Sequence, residues 1–135
     1  MSGKQQDEFP WGNFPFGDLI GIQKKKSSDG YSEISLEVTQ GHLNPMGSVH
    51  GAVTFALADT GMALALYSSL LANEVLATLE IKIMYFNPTL SGTLNCVTRV
   101  LNRGRRFAML ESEILQDSKI IAKASGIYAV SLKRD

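Results

Sequence analysis

Hydrophobic and polar positions along this chain follow two different rhythms. From Tyr31 to Val38, Ile34, Leu36 and Val38 alternate with Glu33, Ser35 and Glu37, which predicts a strand with one wet face. Leu19 to Lys26 predicts a partner strand, joined to it through Ser27-Ser28-Asp29-Gly30, which is hairpin-turn chemistry. Four later segments carry strand character: 77–86, 93–101, 107–116 and 120–132. In the first of these Leu79, Ile81, Ile83 and Tyr85 face one way and Glu80, Lys82 and Met84 the other. Asn87-Pro88, Ser91-Gly92, Asn102-Arg103-Gly104 and Asp117-Ser118 mark the turns between them.

One segment breaks the alternation. After a loop over 40–50, punctuated by Asn44-Pro45 and Gly47, Gly51 to Ala72 is apolar or small around most of a helical circumference. A helix of that kind needs cover on nearly all sides. The predicted order is β-β-α-β-β-β-β, an α+β fold in which a largely antiparallel sheet curls around one long apolar helix. Residues 1–16 read as an irregular arm packing Phe9, Trp11, Phe14 and Phe16 against a single domain over 17–135. Repeats and low-complexity tracts are absent.

Charge narrows the classes of partner. Lys and Arg total 13, Asp and Glu total 13, so the basic excess of a nucleic-acid binder is missing. Any anionic ligand must meet a local cluster of cations. Cys96 is the sole cysteine, which excludes an intrachain disulfide and suits a reducing compartment. Met1 to Trp11 is polar and lacks an apolar leader core, so the expected location is cytoplasmic. The long apolar segment has the length of a membrane span. Asp59 near its middle would cost about 2.5–3.5 kcal/mol there, so a buried helix is expected and no membrane partner.

That acid is the first candidate for chemistry. A carboxylate inside an apolar helix must be hydrogen-bonded or paired, and its ordinary reading is a satisfied helix acid held by a neighbouring strand, with Lys82 as a possible partner. Gly51 stands where the helix should begin, where free N–H groups and partial positive charge suit a developing oxyanion. Alone it is a plain helix-entry glycine, and Asn44 alone is a turn residue before Pro45. Their combination with Asp59 carries the weight. Eight residues of helix hold Gly51 and Asp59 roughly 12 Å apart, too far to act on one carbonyl carbon. If both are catalytic, each site takes one residue from each of two antiparallel helices, and an obligate dimer follows.

Other residues are weaker candidates. His42 and His50 make a poor metal pair, and no metal is expected. A triad from Ser48, His50 and Asp59 lacks a nucleophile elbow, and Asp59 lies too far along the helix from His50; His50 reads as a local hydrogen-bonding residue that shapes the turn. Cys96 reads as core. Arg103, Arg105 and Arg106 surround Gly104, and guanidinium groups bind phosphates in bidentate fashion; plain surface solubility is the alternative. Lys24, Lys25 and Lys26 read as a solvated strand end. Thr78 offers a hydroxyl able to hold a water.

At His42-Leu43-Asn44-Pro45-x-Gly47-x-x-His50-Gly51, followed by Leu57-Ala58-Asp59, the chain resembles the phenylacetate-degradation (PaaI-like) branch of the hotdog-fold thioesterases, within the superfamily of 4-hydroxybenzoyl-CoA thioesterase. The likeness runs on through Thr78, Tyr85-Phe86-Asn87-Pro88 and Gly104-Arg105-Arg106. It implies a hotdog fold, a homodimer that extends the sheet, and often a dimer of dimers. It further implies an acyl-CoA thioesterase in which Asn44 and the Gly51 N–H polarise the carbonyl. Asp59 of the partner subunit would then activate water or attack directly. By the same resemblance Thr78 orients the water, His50 supports the loop and Asn44, and Arg103, Arg105 and Arg106 are candidates for the CoA phosphates. No cofactor is implied beyond the CoA of the substrate. Gly51-Ala52 replaces a glycine pair common in relatives, which implies a slightly tighter pocket. Two other functions remain open: a non-catalytic acyl-CoA binder or sensor, and a hotdog hydratase or dehydratase using His50. Phe9, Trp11, Phe14 and Phe16, with Phe55 and Met62, would admit an aromatic or a medium aliphatic acyl group.

Overall fold

The computed structural model describes residues 13–134; Phe9 and Trp11 of the expected arm lie outside them. Its first element was not anticipated. Pro15–Ile20 forms a short helix, α1, with Pro15 opening it and Gly21 closing it in the left-handed region at φ 89°. Proline at the first helical position and glycine just past the last are standard helix punctuation. Leu19 and Ile20 therefore belong to α1, and α1 straddles the expected 16/17 boundary. Phe16 is half exposed.

Strands β1 (Ile22–Ser28) and β2 (Tyr31–Glu37) follow, then a single 3₁₀ turn (Gln40–His42) and helix α2 (Gly51–Tyr67). Strands β3 (Glu74–Tyr85), β4 (Thr93–Arg103), β5 (Phe107–Gln116) and β6 (Lys119–Leu132) complete the chain. All pairings are antiparallel, in the order β1-β2-β4-β5-β6-β3, and the sheet curls so that α2 touches all six strands. The expected α+β wrap is what forms. The β1–β2 turn places Asp29 at φ 47° and Gly30 at φ 80°, the two positive values that a two-residue hairpin with the strands' natural twist requires.

Three expectations shift in detail. The helix expected to reach Ala72 stops at Tyr67, because Ser68 and Ser69 turn their hydroxyls back to the Ala65 and Leu66 carbonyls and Gly30 N–H binds Ser68 Oγ. Ser35, expected on a wet face, is buried between Gln23 and Asn95 of the flanking strands. In β3 a bulge between Thr78 and Glu80 resets the alternation. Leu79 is turned out, over half exposed, while Thr78 points to α2.

Because α2 is apolar on almost every side, an amphipathic stripe cannot set its rotation. Hydroxyl and thiol groups on the sheet do so by donating to its carbonyls: Ser32 to Gly61 (2.7 Å), Ser112 to Ala58 (3.2 Å), Cys96 to Leu57 (3.4 Å) and Tyr128 to Asp59 (2.9 Å). Each contributes about 1 kcal/mol net, and each would be costly to leave unmade. At Gly61 the helix lies directly on β4; a Cβ there would stand 2.6 Å from Thr98 Oγ1. Met62, expected near the acyl group, is fully buried in the core.

Candidate functional site

Fixing the rotation of α2 fixes where Asp59 points. Its carboxylate lies half-buried against β3 and β6. Thr78 Oγ1 donates to Asp59 Oδ1 at 2.9 Å, and the Tyr128 hydroxyl donates to the same oxygen as well as to the Asp59 carbonyl. Asp59 Oδ2 makes no hydrogen bond among the described residues. The strand partners of this acid are thus hydroxyls. Lys82, offered by the sequence as a partner, lies on the outer face of the sheet beside Met84, Glu111 and Lys123. Burial first, and then the bond to Asp59, push the Tyr128 phenol well above its ordinary value, so it remains a donor at every working pH.

The start of α2 forms a second arrangement. His50 caps the helix, its Nδ1 accepting the Ala52 N–H at 2.9 Å, while its own N–H binds the His42 carbonyl at 2.8 Å. The Gly51 N–H has no acceptor among the described residues. It opens on a cleft of about 610 Å³ lined by Gly51, Tyr85, Phe86, Pro88, Thr89 and Ile121 among others. The Tyr85 hydroxyl donates to the Gly51 carbonyl at 2.7 Å. A Cβ on Gly51 would lie 3.1 Å from that hydroxyl, so the backbone is open to close approach only because the residue is glycine.

Asn44 is engaged within its own loop. Its Oδ1 accepts from the Met46 and Ser48 N–H groups, and its Nδ2 donates to Ser48 Oγ. It makes no hydrogen bond with His50 and does not line the cleft at Gly51. One Nδ2 hydrogen remains to offer. The alternatives weighed from the sequence are not assembled: Ser48, His50 and Asp59 each bond to different groups. His42 accepts the Thr39 N–H at Nδ1 and donates from Nε2 to the Ile20 carbonyl at the end of α1, which commits both ring nitrogens to structural bonds. Cys96 is sealed in the core, where burial pushes its thiol up to about 11; it is no nucleophile.

The arginine turn divides. Arg103 is held by Glu74, its Nη2 lying 2.9 and 3.1 Å from the two carboxylate oxygens. Arg105 and Arg106 are exposed and border a groove of about 650 Å³ with Phe107, Ser131 and Leu132.

Within one chain, then, Asp59 meets Thr78, and Gly51 meets His50, but the two halves do not meet. The residue that sequence reasoning missed is Tyr128. Its signal was present: it shares the inward phase of β6 with Ala124, Gly126 and Val130, and a buried tyrosine hydroxyl needs a polar partner.

A curled antiparallel sheet around one helix that carries a half-buried acid defines a hotdog-fold enzyme. A model of the thioesterase superfamily matches residues 46–122. The acyl-coenzyme A thioesterase PaaI of Escherichia coli is 31% identical over 79% of this chain and 76% of its own length. The 1,4-dihydroxy-2-naphthoyl-CoA hydrolase of Listeria monocytogenes is 25% identical over 87% and 96%. A conserved protein of Pseudomonas aeruginosa superposes with a TM-score of 0.85 at 35% identity, covering 87% of this chain and 94% of its own. The chain belongs to the thioesterase superfamily, in its hotdog-fold, PaaI-like branch, and is a thioester hydrolase. Among the described residues no helix is long and apolar enough to cross a membrane.

Proposed function

We propose that this chain hydrolyses an acyl-CoA thioester to the free acid and CoA at composite sites formed between two copies. The observation that carries the reading is the state of Asp59: one carboxylate oxygen held by two hydroxyls, the other unengaged on an accessible face of α2. Water donates one hydrogen to Asp59 Oδ2 and the other to a lone pair of Thr78 Oγ1, leaving its own lone pair for the carbonyl carbon. Asp59 takes the proton as general base. The Gly51 N–H of the partner subunit stabilises the oxyanion at the start of its helix, with the spare Nδ2 hydrogen of Asn44 available as a second donor. Collapse of the tetrahedral intermediate expels the CoA thiolate.

Two features support pairing. The accessible stripe of α2 is Ala52, Phe55, Ala56, Asp59 and Ala63, a single helical face that is apolar except for the acid. A second α2 running the opposite way covers it and brings Gly51 of the partner subunit towards Asp59. The edges of the sheet also differ. β1 is bulged and carries Lys24, Lys25 and Lys26, which discourages pairing. β3 leaves Val75, Leu79, Met84 and Tyr85 exposed along an open edge. Phe107 and Met109 on the outer face, each about half exposed, offer a surface for joining two dimers. Arg105 and Arg106, and not the paired Arg103, take the nucleotide phosphates. The cleft beside Tyr85 and Phe86 accommodates an aryl or medium alkyl acyl group.

Asp59→Asn tests the reading. The substitution keeps the shape and both hydroxyl contacts while removing the base, and hydrolysis of the best CoA thioester falls by about a hundredfold or more with the dimer intact by sedimentation. Turnover at the parent rate, or a monomer as the active species, would refute it. A screen of aryl- and alkyl-CoA thioesters by kcat/KM identifies the acyl group.

A further inference from the structure

Thr78 and Tyr128 are direct cross-strand partners in the β3–β6 register, and side chains of such a pair share one face of the sheet. Both hydroxyls end on one atom, Asp59 Oδ1. The bulge that follows Thr78 shifts the alternation of β3 from this rung on. The one hydroxyl hydrogen of Tyr128 is shared between the carbonyl and the carboxylate of the acid, which ties side chain to backbone. We propose that this rung is a two-hydroxyl clamp in which Tyr128 acts as a positioning residue, selecting Oδ2 of Asp59 as the oxygen that meets water. The proposal rests on the hydrolytic reading of Asp59 and assigns a role to a residue outside the reaction path.

The surroundings isolate this effect. Asp59 is the only carboxylate on α2, which carries no cation. Glu74, Glu80 and Lys82 on β3, Glu111 and Glu113 on β5, and Lys119 and Lys123 on β6 are the charged groups of the neighbouring strands. Glu111 pairs with Lys123 on the outer face beside Lys82, Glu74 pairs with Arg103, and none of the seven bonds to Asp59. The phenol of Tyr128 is fully buried and stays protonated, so its donation does not vary with pH.

Tyr128→Phe removes the hydroxyl and keeps the ring that fills the core. Values of kcat and KM for this variant, for Thr78→Val and for the parent decide the matter, with Ser112→Ala as control. Ser112 donates to the adjacent helix carbonyl, Ala58, and has no bond to the acid. For Tyr128→Phe, kcat falls by about ten- to a hundredfold with KM within twofold. Thr78→Val lowers kcat in the same way. Ser112→Ala lowers the melting temperature and leaves kcat in place. Parental kcat in both Tyr128→Phe and Thr78→Val would overturn the clamp. Full activity of Asp59→Asn would instead sink the hydrolytic reading, and the clamp would then stand or fall on the crystal structure of Tyr128→Phe: an Asp59 carboxylate unmoved from its place overturns it.

Discussion

Gly61 offers a test in which helix propensity and packing give opposite signs. In an isolated helix, Gly61→Ala would add about 1 kcal/mol of stability. Here the new Cβ would stand 2.6 Å from Thr98 Oγ1 and 3.1 Å from Cys96 Sγ, with ordinary contact beginning near 3.4 Å. Relief requires α2 to rise by nearly 1 Å or Thr98 to rotate. Rotation breaks the 2.6 Å bond between Thr98 and Ser112 hydroxyls, which backs the Ser112 bond to the Ala58 carbonyl. Overpacking of this kind costs about 1–3 kcal/mol, and a lost internal hydrogen bond about 1 kcal/mol more. Offset by propensity, the net expectation is a destabilisation of about 1–3 kcal/mol. Urea unfolding followed by circular dichroism gives the number, at one fixed protein concentration so that any association enters equally for both proteins. Thr98→Ala in the same background should recover part of the loss, because it removes the atom struck first. A Gly61→Ala protein more stable than the parent would show that the helix does not seat on β4 at this point.

Two further expectations follow from the site. Arg105→Ala and Arg106→Ala raise KM for a full CoA thioester several-fold at low salt and have no effect on a pantetheine thioester that lacks the nucleotide; Arg103→Ala leaves both within twofold, since its partner Glu74 is on the protein and an exposed pair contributes under about 1 kcal/mol. Cys96 resists thiol reagents at pH 8 in the folded state and reacts on unfolding, because burial pushes it up to about 11; with its folded value raised above the unfolded one, stability is complete below about pH 8.5 and declines as pH climbs towards 11, which urea titrations at pH 7.5 and 10 would register.

What the sequence made legible was whatever local chemistry decides alone. Asp29-Gly30 and Asp117-Ser118 both adopt the paired positive φ values of tight hairpins, and turn residues of that kind can be recognised without knowing what surrounds them. Alternation and turn residues together gave all six strands to within a few residues. Alternation failed at Leu79, because a bulge is a property of the pairing between two strands and not of either one. α1 was missed because six residues carry too little periodicity to compete with the strand pattern that follows, although Pro15 and Gly21 bracket it. Asp59 and Gly51 were legible as residue types in a specific loop-helix pattern, and Thr78 through the family resemblance alone. Tyr128 was not, since nothing in β6 shows that its rung faces Thr78 until the order β5-β6-β3 is known.

On the proposed reading, catalysis and pairing are hard to separate in this chain. A helix apolar on every side is normally buried on every side, and the sheet covers all but one stripe of α2. That stripe holds the acid, so the surface a second copy would cover is also the surface proposed to do the chemistry. Closing it with an apolar partner would bury Asp59 without compensation, a costly arrangement for a charge. Closing it with an antiparallel copy supplies the positive end of a helix instead. Phe55→Glu places a second negative charge on this stripe, one turn from Asp59 and, in the proposed dimer, facing its own symmetry mate. Dissociation to monomers with loss of hydrolysis is therefore expected, measured by sedimentation velocity alongside turnover; a Phe55→Glu monomer that kept parental activity would show that one chain alone completes the site.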